Sequence, residues 1–346
     1  MRKSSQKLAG FLFGLLISCV VSAAEPVELN PAHPERYTVV KGDTLWDIAG
    51  RFLREPWLWP EVWQVNPQIR NPHLIYPGDV ISLTYEDGRP LLSLVRGTRD
   101  VKLSPQVRST PLDAAIPAIP IDAIRQFLSH PYVVGEGELE QAPYVVAHAG
   151  EHIIGGAGNR IYVRAIESED RQRFDIVRPG GAYKDADTGE ILGYEALYIG
   201  DASLQSTGDP ATLGLVHTQQ ETREGDRLVP SVADKPLTTF YPKAPDQSID
   251  GSIIGVLGGV TQIGQYQVVV LDRGERDGLM PGDVMAIDSL GETISDDVSP
   301  ERWDKVKLPN EQAGHLMVFR TFPRVSFALV MDATRAIHVL DRVRNP

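Results

Sequence analysis

The residues able to do covalent or metal chemistry are few. The single cysteine, Cys19, lies in an apolar N-terminal run, and the eight histidines include one close pair, His148 and His152. Imidazoles at i and i+4 hold a metal when a helix places them on one face. Gly150 separates this pair and Ile153-Ile154-Gly155-Gly156 follows it, so a loop is expected there and no metal site. A His-x-His pair, as in many zinc peptidases, is absent. Glycosidic hydrolysis needs two carboxylates about 5–10 Å apart. With 46 acidic residues spacing alone leaves that open, but no glutamate stands in a transglycosylase-like motif. The expectation is a chain that is not an enzyme, with no catalytic residue, metal or cofactor.

Binding chemistry is better represented. Four of the five tryptophans (Trp46, Trp57, Trp59 and Trp63) fall close together. Indole rings stack on sugars, and they also enlarge the core of a small module. Two or three of these four are expected in a core, with one left to contact sugar or protein. The elements that must position them are legible. Tyr37 to Val40 is a β-rich run, and Lys41-Gly42-Asp43-Thr44 turns the chain. Thr44 and Asp47 have capping-box spacing, and Leu45, Ile48, Ala49 and Phe52 line one face of a helix. A second helix is expected from Pro60 through Val65, stopped by Asn66-Pro67. Tyr76-Pro77-Gly78-Asp79 is a turn, and Val80 to Leu83 a closing strand. The unit reads strand, helix, helix, strand.

This stretch resembles a LysM domain, a peptidoglycan- and chitin-binding module. The matching residues are Tyr37-Thr38-Val39 with Lys41 to Ala49, then Asn66-Pro67, then Ile75 to Asp79. The resemblance implies a shallow groove for N-acetylglucosamine-containing glycan. Gly42, Asp43, Thr44 and Leu45 would form one wall, and Asn66, Ile69, Leu74 and Ile75 the other. An acetamide wants a donor, an acceptor and an apolar cup for its methyl; loop backbone and Leu or Ile side chains supply these. The segment's basic and acidic residues balance, which suits an uncharged glycan better than a phosphate. The stretch Leu53 to Pro60 is longer and more aromatic than an ordinary linker of this family. Asp43 and Thr44 also suit simple helix capping without touching sugar.

Composition and charge narrow the class further. At 346 residues the chain is long enough for two or three domains. Its 31 glycines and 26 prolines point to many turns, hence to β structure. A formal charge of −12 argues against nucleic acid. Arg2, Lys3 and Lys7, the apolar run Leu8 to Val21 and the small-residue site Val21-Ser22-Ala23 read as a signal peptide over residues 1–23. That run is shorter than the ~20 residues of a membrane span. Periplasmic export is expected, with no transmembrane segment in the mature chain; Leu16-Ile17-Ser18-Cys19 offers lipidation at Cys19 as the alternative.

The expected organisation is α+β: a small βααβ module over residues 36–85, a connecting region over 86–130, and β-rich domains over 131–235 and 236–346. The last two look like copies. Glu190 to Glu195 parallels Glu311 to Leu316, Ala211-Thr212-Leu213 parallels Ala328-Leu329-Val330, and Asp226 to Pro230 parallels Asp341 to Pro346. Gly225 faces Leu340, a departure from the pattern. Pro281-Gly282-Asp283-Val284 repeats the wording of Pro77-Gly78-Asp79-Val80 and is expected to form the same strand-feeding turn.

With its signal, LysM, linker and duplicated β region, the whole chain resembles type IV pilus secretin-associated proteins, whose C-terminal part is similar to that of a flagellar basal-body protein. That resemblance implies a periplasmic adaptor tying an outer-membrane secretin or pilus machine to peptidoglycan. The alternative is a peptidoglycan-remodelling factor: a hydrolase with an unrecognised site, or an activator of one.

Overall fold

A computed structural model describes residues 27–63, 74–86, 88–95, 115–128, 133–150, 153–166, 172–231, 239–258, 262–295 and 305–346. The expected signal peptide with Cys19, the groove residues Asn66 and Ile69, and His152 lie outside the described residues.

The N-terminal unit is built on a three-stranded antiparallel sheet. β1 (Arg36–Thr38) pairs with β2 (Val80–Glu86), placing Tyr37 opposite Ile81. β2 turns back into β3 (Arg89–Val95), with Val80 opposite Val95 and Glu86 opposite Arg89. The region from residue 86, expected as a connection with Leu91 to Val95 as a candidate strand, thus begins with a third strand of this sheet. The signal for its hairpin pairing with β2 is Asp87-Gly88, the dipeptide of tight hairpins, and Gly88 has φ +78°.

α1 (Leu45–Phe52) buries Leu45, Trp46, Ile48, Ala49 and Phe52 on the face that the sequence periodicity marks. A 3-10 turn, Pro56–Leu58, leads into α2 (Trp59–Val62), which starts one residue before Pro60 and has Trp63 as its C-cap. The extension expected toward Val65 lies outside the described residues. Trp46, Trp59 and Trp63 are buried and Trp57 is half-buried, so three of the four indoles pack the core. α3 (Ile121–Leu128) follows residues 115–120 and buries Ile124.

Two β-barrels form the remainder. After β4 (Val133–Val134) and α4 (Glu138–Gln141), the first barrel comprises β5 (Tyr144–His148), β6 (Arg160–Arg164), β7 (Arg173–Lys184), β8 (Ile191–Ser206), β9 (Ala211–Thr218) and β10 (Arg227–Pro230). Its ring order is β8-β7-β10-β5-β6-β9, closed by the β8–β9 pairing, with β4 added outside on β8.

The second barrel uses β11 (Asp250–Leu257), β13 (Val268–Leu271), β14 (Val284–Ser289), β17 (Glu311–Thr321), β18 (Ser326–Ala333) and β20 (Arg342–Arg344). Two short antiparallel pairs decorate it: β12 (Gln262–Ile263) with β19 (Ile337–His338), and β15 (Thr293–Ser295) with β16 (Lys305–Lys307). The ring order is β17-β14-β20-β11-β13-β18. Taken in chain order, the six strands of each ring close in the same sequence. Gly193 and Gly314 lie on β8 and β17, and Asp226 and Asp341 immediately precede β10 and β20.

The N-terminal unit and the second barrel share one core. Along β13, Val269 and Leu271 point into the barrel, while Val268 and Val270 point out into the cluster that also holds Trp46, Phe52, Ile119 and Ile124. β18 alternates likewise, Ala328 and Val330 inward and Phe327, Leu329 and Met331 outward. Strand side chains alternate faces, so a strand covered on both sides is apolar throughout. That is why Val268 to Leu271 and Phe327 to Met331 carry no polar residue. Polar contacts seal the same junction: Tyr266 Oη donates to Asp47 Oδ1 at 3.0 Å, and Arg320 donates to the Phe127 carbonyl at 2.8 Å.

Candidate functional site

Between β1 and α1 the chain makes a turn closed by its own side chain. Asp43 Oδ2 accepts from the Val40 amide and from Tyr37 Oη, both at 2.9 Å. Gly42 takes φ +100°, a region that residues with a Cβ avoid. Burial, then the hydrogen bond to Asp43, raise the Tyr37 phenol above its ordinary pKa. The Arg51 guanidinium covers the Tyr37 ring at 4.5 Å. Thr44 then caps α1: its Oγ1 accepts from the Asp47 amide at 3.1 Å, while Asp47 Oδ2 accepts from Thr44 Oγ1 at 2.8 Å and from its amide at 3.3 Å.

The second wall is another such turn. Asp79 Oδ2 accepts from the Tyr76 amide at 3.0 Å, and Gly78 has φ +93°. The two turns are clasped through Val39, whose amide donates to Asp79 O at 2.9 Å and whose carbonyl accepts from Gly78 at 2.8 Å. Leu74 and Ile75 lead into this turn, so the Gly42–Leu45 and Leu74–Ile75 walls are held side by side.

The expected groove residues divide by burial. Gly42 is exposed and Asp43 is half-buried. Thr44 and Leu45 are buried, and Ile75 is 0% exposed while Leu74 is 43% exposed. Leu45 and Ile75 therefore give their side chains to the core and only backbone to the groove. Among the described groove residues, Leu74 is the apolar side chain open to solvent.

Those backbone groups are already engaged. The Leu45 amide donates to the Pro117 carbonyl at 3.0 Å and the Trp46 amide to the Ala118 carbonyl at 3.1 Å. Across the groove, the Ile75 carbonyl accepts from the Ile116 amide at 2.8 Å. Every orphan amide at the start of α1 is thereby satisfied, the Asp47 amide by Thr44 Oγ1 and the Thr44 amide by Asp47 Oδ2. Ile116 is 4% exposed and Ile119 0%, both within the shared core. Residues 116–119 were not anticipated at this site. Their partners lie some 40 to 70 positions away, and no local pattern reports them.

His148 closes β5, is buried, and its Nε2 lies 3.0 Å from Thr222 Oγ1. Among the described residues no three His, Cys, Asp or Glu side chains gather as a metal site. His315, on β17, faces Asp332 at 3.1 Å and Glu55 of the N-terminal unit at 3.4 Å, an ion-pair position at the junction. No described helix is long and apolar enough to cross a membrane.

The LysM domain model matches residues 37–84. The chain is 42% identical over 60 residues to the uncharacterized protein YqbP of Bacillus subtilis (strain 168), across 14% of this chain and 27% of that protein. The chain thus spans about a quarter of that relative's length. Residues 37–84 form a LysM domain, a module for binding peptidoglycan or related carbohydrate and not a catalytic one.

Proposed function

We propose that this chain is a non-catalytic periplasmic adaptor, holding peptidoglycan through its LysM groove and an outer-membrane secretin or pilus component through its barrels. One observation carries the reading: the LysM unit and the second barrel share a continuous core, so wall binding and barrel are joined directly. The groove proposed for glycan comprises Gly42, Asp43, Thr44 and Leu45 against Leu74 and Ile75, with Asn66 and Ile69 completing it. Its donors are the Leu45 and Trp46 amides and its acceptor the Ile75 carbonyl, the set an acetamide requires. The β region is read as two related copies over 131–235 and 236–346, supported by the matched ring order.

Sacculus co-sedimentation of the full chain tests the wall half. Leu74 reaches solvent, so Leu74→Asp changes the groove without opening the core. A loss of sedimentation of ~10-fold is expected, from one lost apolar contact of about 1.5 kcal/mol. Undiminished sedimentation removes the groove assignment. A cleared zymogram band on purified peptidoglycan would replace the adaptor with a hydrolase. Co-purification from membranes tests the machine half; absence of any secretin or pilus subunit from the eluate removes it.

A further inference from the structure

The LysM groove is filled by the chain itself. Residues 116–119 lie against it, with a bend at Ala118 and Ile119, and use every group that the glycan reading assigns to an acetamide. The Pro117 and Ala118 carbonyls take the amides of Leu45 and Trp46, and the Ile116 amide meets the Ile75 carbonyl. Ala118 is buried with a methyl group for its side chain, and Ile116 and Ile119 close the run at either end. An N-acetyl group is itself a secondary amide bearing a methyl. Peptide and sugar therefore present one chemistry to the same donors and acceptor, which cannot serve both at once.

We propose that residues 116–119 are a built-in occupant of the LysM groove, and that glycan enters only as this segment leaves. The proposal rests on the glycan reading of the groove and adds its regulation.

The competition favours the occupant for two physical reasons. It is covalently tethered, so its effective concentration is on the order of millimolar. Pro117 and Pro120 also fix two φ angles before docking, which lowers the entropy lost on binding. α3 follows directly and is pinned by Ile124 in the shared core and by Arg320 on its Phe127 carbonyl. Release of residues 116–119 thus requires either pulling from the N-terminal side of the segment or loosening of α3 from the second barrel. A closed state populated 10- to 100-fold over the open one weakens apparent affinity by the same factor.

Amide hydrogen exchange of the full chain, with and without an N-acetylglucosamine tetramer, tests this. In the free wild type, the Leu45 and Trp46 amides should exchange slowly. Ile116→Asp should release them and bind the tetramer at least ~10-fold more tightly. Because Ile116 belongs to the shared core, Ile116→Ala serves as the milder variant and should shift both readouts in the same direction, with far-UV dichroism reporting that each variant is folded.

Free exchange of Leu45 and Trp46 in the wild type would overturn the occupancy. Equal, tight tetramer binding by all three proteins, with those amides protected by it, would overturn the competition and leave the glycan reading intact. If the variants free both amides yet the tetramer protects neither, the glycan reading falls and the competition with it, while the filled groove stands.

Discussion

Leu340 holds the backbone position in the second barrel that Gly225 holds in the first. Gly225 has φ +88° in the turn Arg223 to Asp226, and Leu340 has φ +80° in the turn His338 to Asp341. In each, the aspartate Oδ2 accepts from the first amide of the turn at 2.8 Å. The pair that breaks the sequence parallel therefore shares a positive φ and the same aspartate-closed turn. Asp43, Asp79 and Asp283 close turns of the same build, with Gly42, Gly78 and Gly282 at positive φ.

A leucine in this conformation is strained, at a cost of about 1–2 kcal/mol, and its side chain, 52% exposed, recovers little by packing. Leu340→Gly should stabilise the protein by roughly 1 kcal/mol, less the added freedom of glycine in the unfolded chain. Gly225→Ala, with open space around the added Cβ, should destabilise it by about 1 kcal/mol. Thermal melts in the same buffer should move in opposite directions; a lower Tm for Leu340→Gly would show that the side chain is held by contacts worth more than the strain.

The cap of α1 should be individually measurable. Thr44→Ala removes the oxygen that serves the Asp47 amide and the hydroxyl that serves its carboxylate. A loss of about 1 kcal/mol is expected, and Thr44→Ser should restore most of it. Urea midpoints for the three proteins decide; an unchanged midpoint for Thr44→Ala would mean that the residue-44 amide and Tyr266 hold Asp47 without the hydroxyl.

Much of this was legible because it is local. The capping box at Thr44 and Asp47, the apolar face of α1, and the matched turns at Pro77-Gly78-Asp79 and Pro281-Gly282-Asp283 are set within four to eight residues. β2 and β14 indeed start at Val80 and Val284. What escaped is set at a distance. The third strand is readable over Leu91 to Val95, with Asp87-Gly88 as its hairpin signal, but residues 116–119 read as proline-punctuated linker, since their hydrogen bonds run to Leu45, Trp46 and Ile75. Leu45 and Ile75 read as groove side chains; both instead belong to the core that the unit shares with a barrel encoded some 200 residues later.

The two barrels are tied by a turn with a marked acid response. Asp185, at the β7–β8 turn, accepts from the Thr188 and Asp187 amides and the Thr188 hydroxyl, and pairs with Arg273 of the second barrel at 3.1 Å. Above all the Thr188 amide pulls its carboxyl down to about 2. A depressed carboxylate stabilises the fold above its unfolded pKa, and that contribution is lost as pH falls through the folded value. Asp185→Asn should thus be less stable than wild type at pH 7, with the gap closing between about pH 4 and pH 2. A gap constant across that window would show that charge is not what Asp185 contributes.

His315 should respond with the opposite sign. Burial disfavours its charge, but the hydrogen bond to Asp332 and the charges of Asp332 and Glu55 outweigh burial and the nearby Arg344, and its pKa rises. A raised imidazole pKa contributes stability below the unfolded value, lost as pH rises through the folded one. Wild type should exceed His315→Gln in stability by more at pH 5.5 than at pH 8, and Glu55→Gln should reduce that difference. Urea titrations at the two pH values measure it; a larger advantage at pH 8 would refute the assignment.

A module that shares its core with a barrel cannot be traded between proteins as a cassette. Excised at residues 27–95, this LysM unit would lose Ile119 and Ile124 from its packing and uncover the wall formed by Val268, Val270, Phe327 and Leu329. Its orientation is also set by that wall and not by a leash. Anything gripped by the groove would stand at a fixed height and angle to whatever grips the barrel, as a bracket holds a pipe, and a tug on one would reach the other without slack.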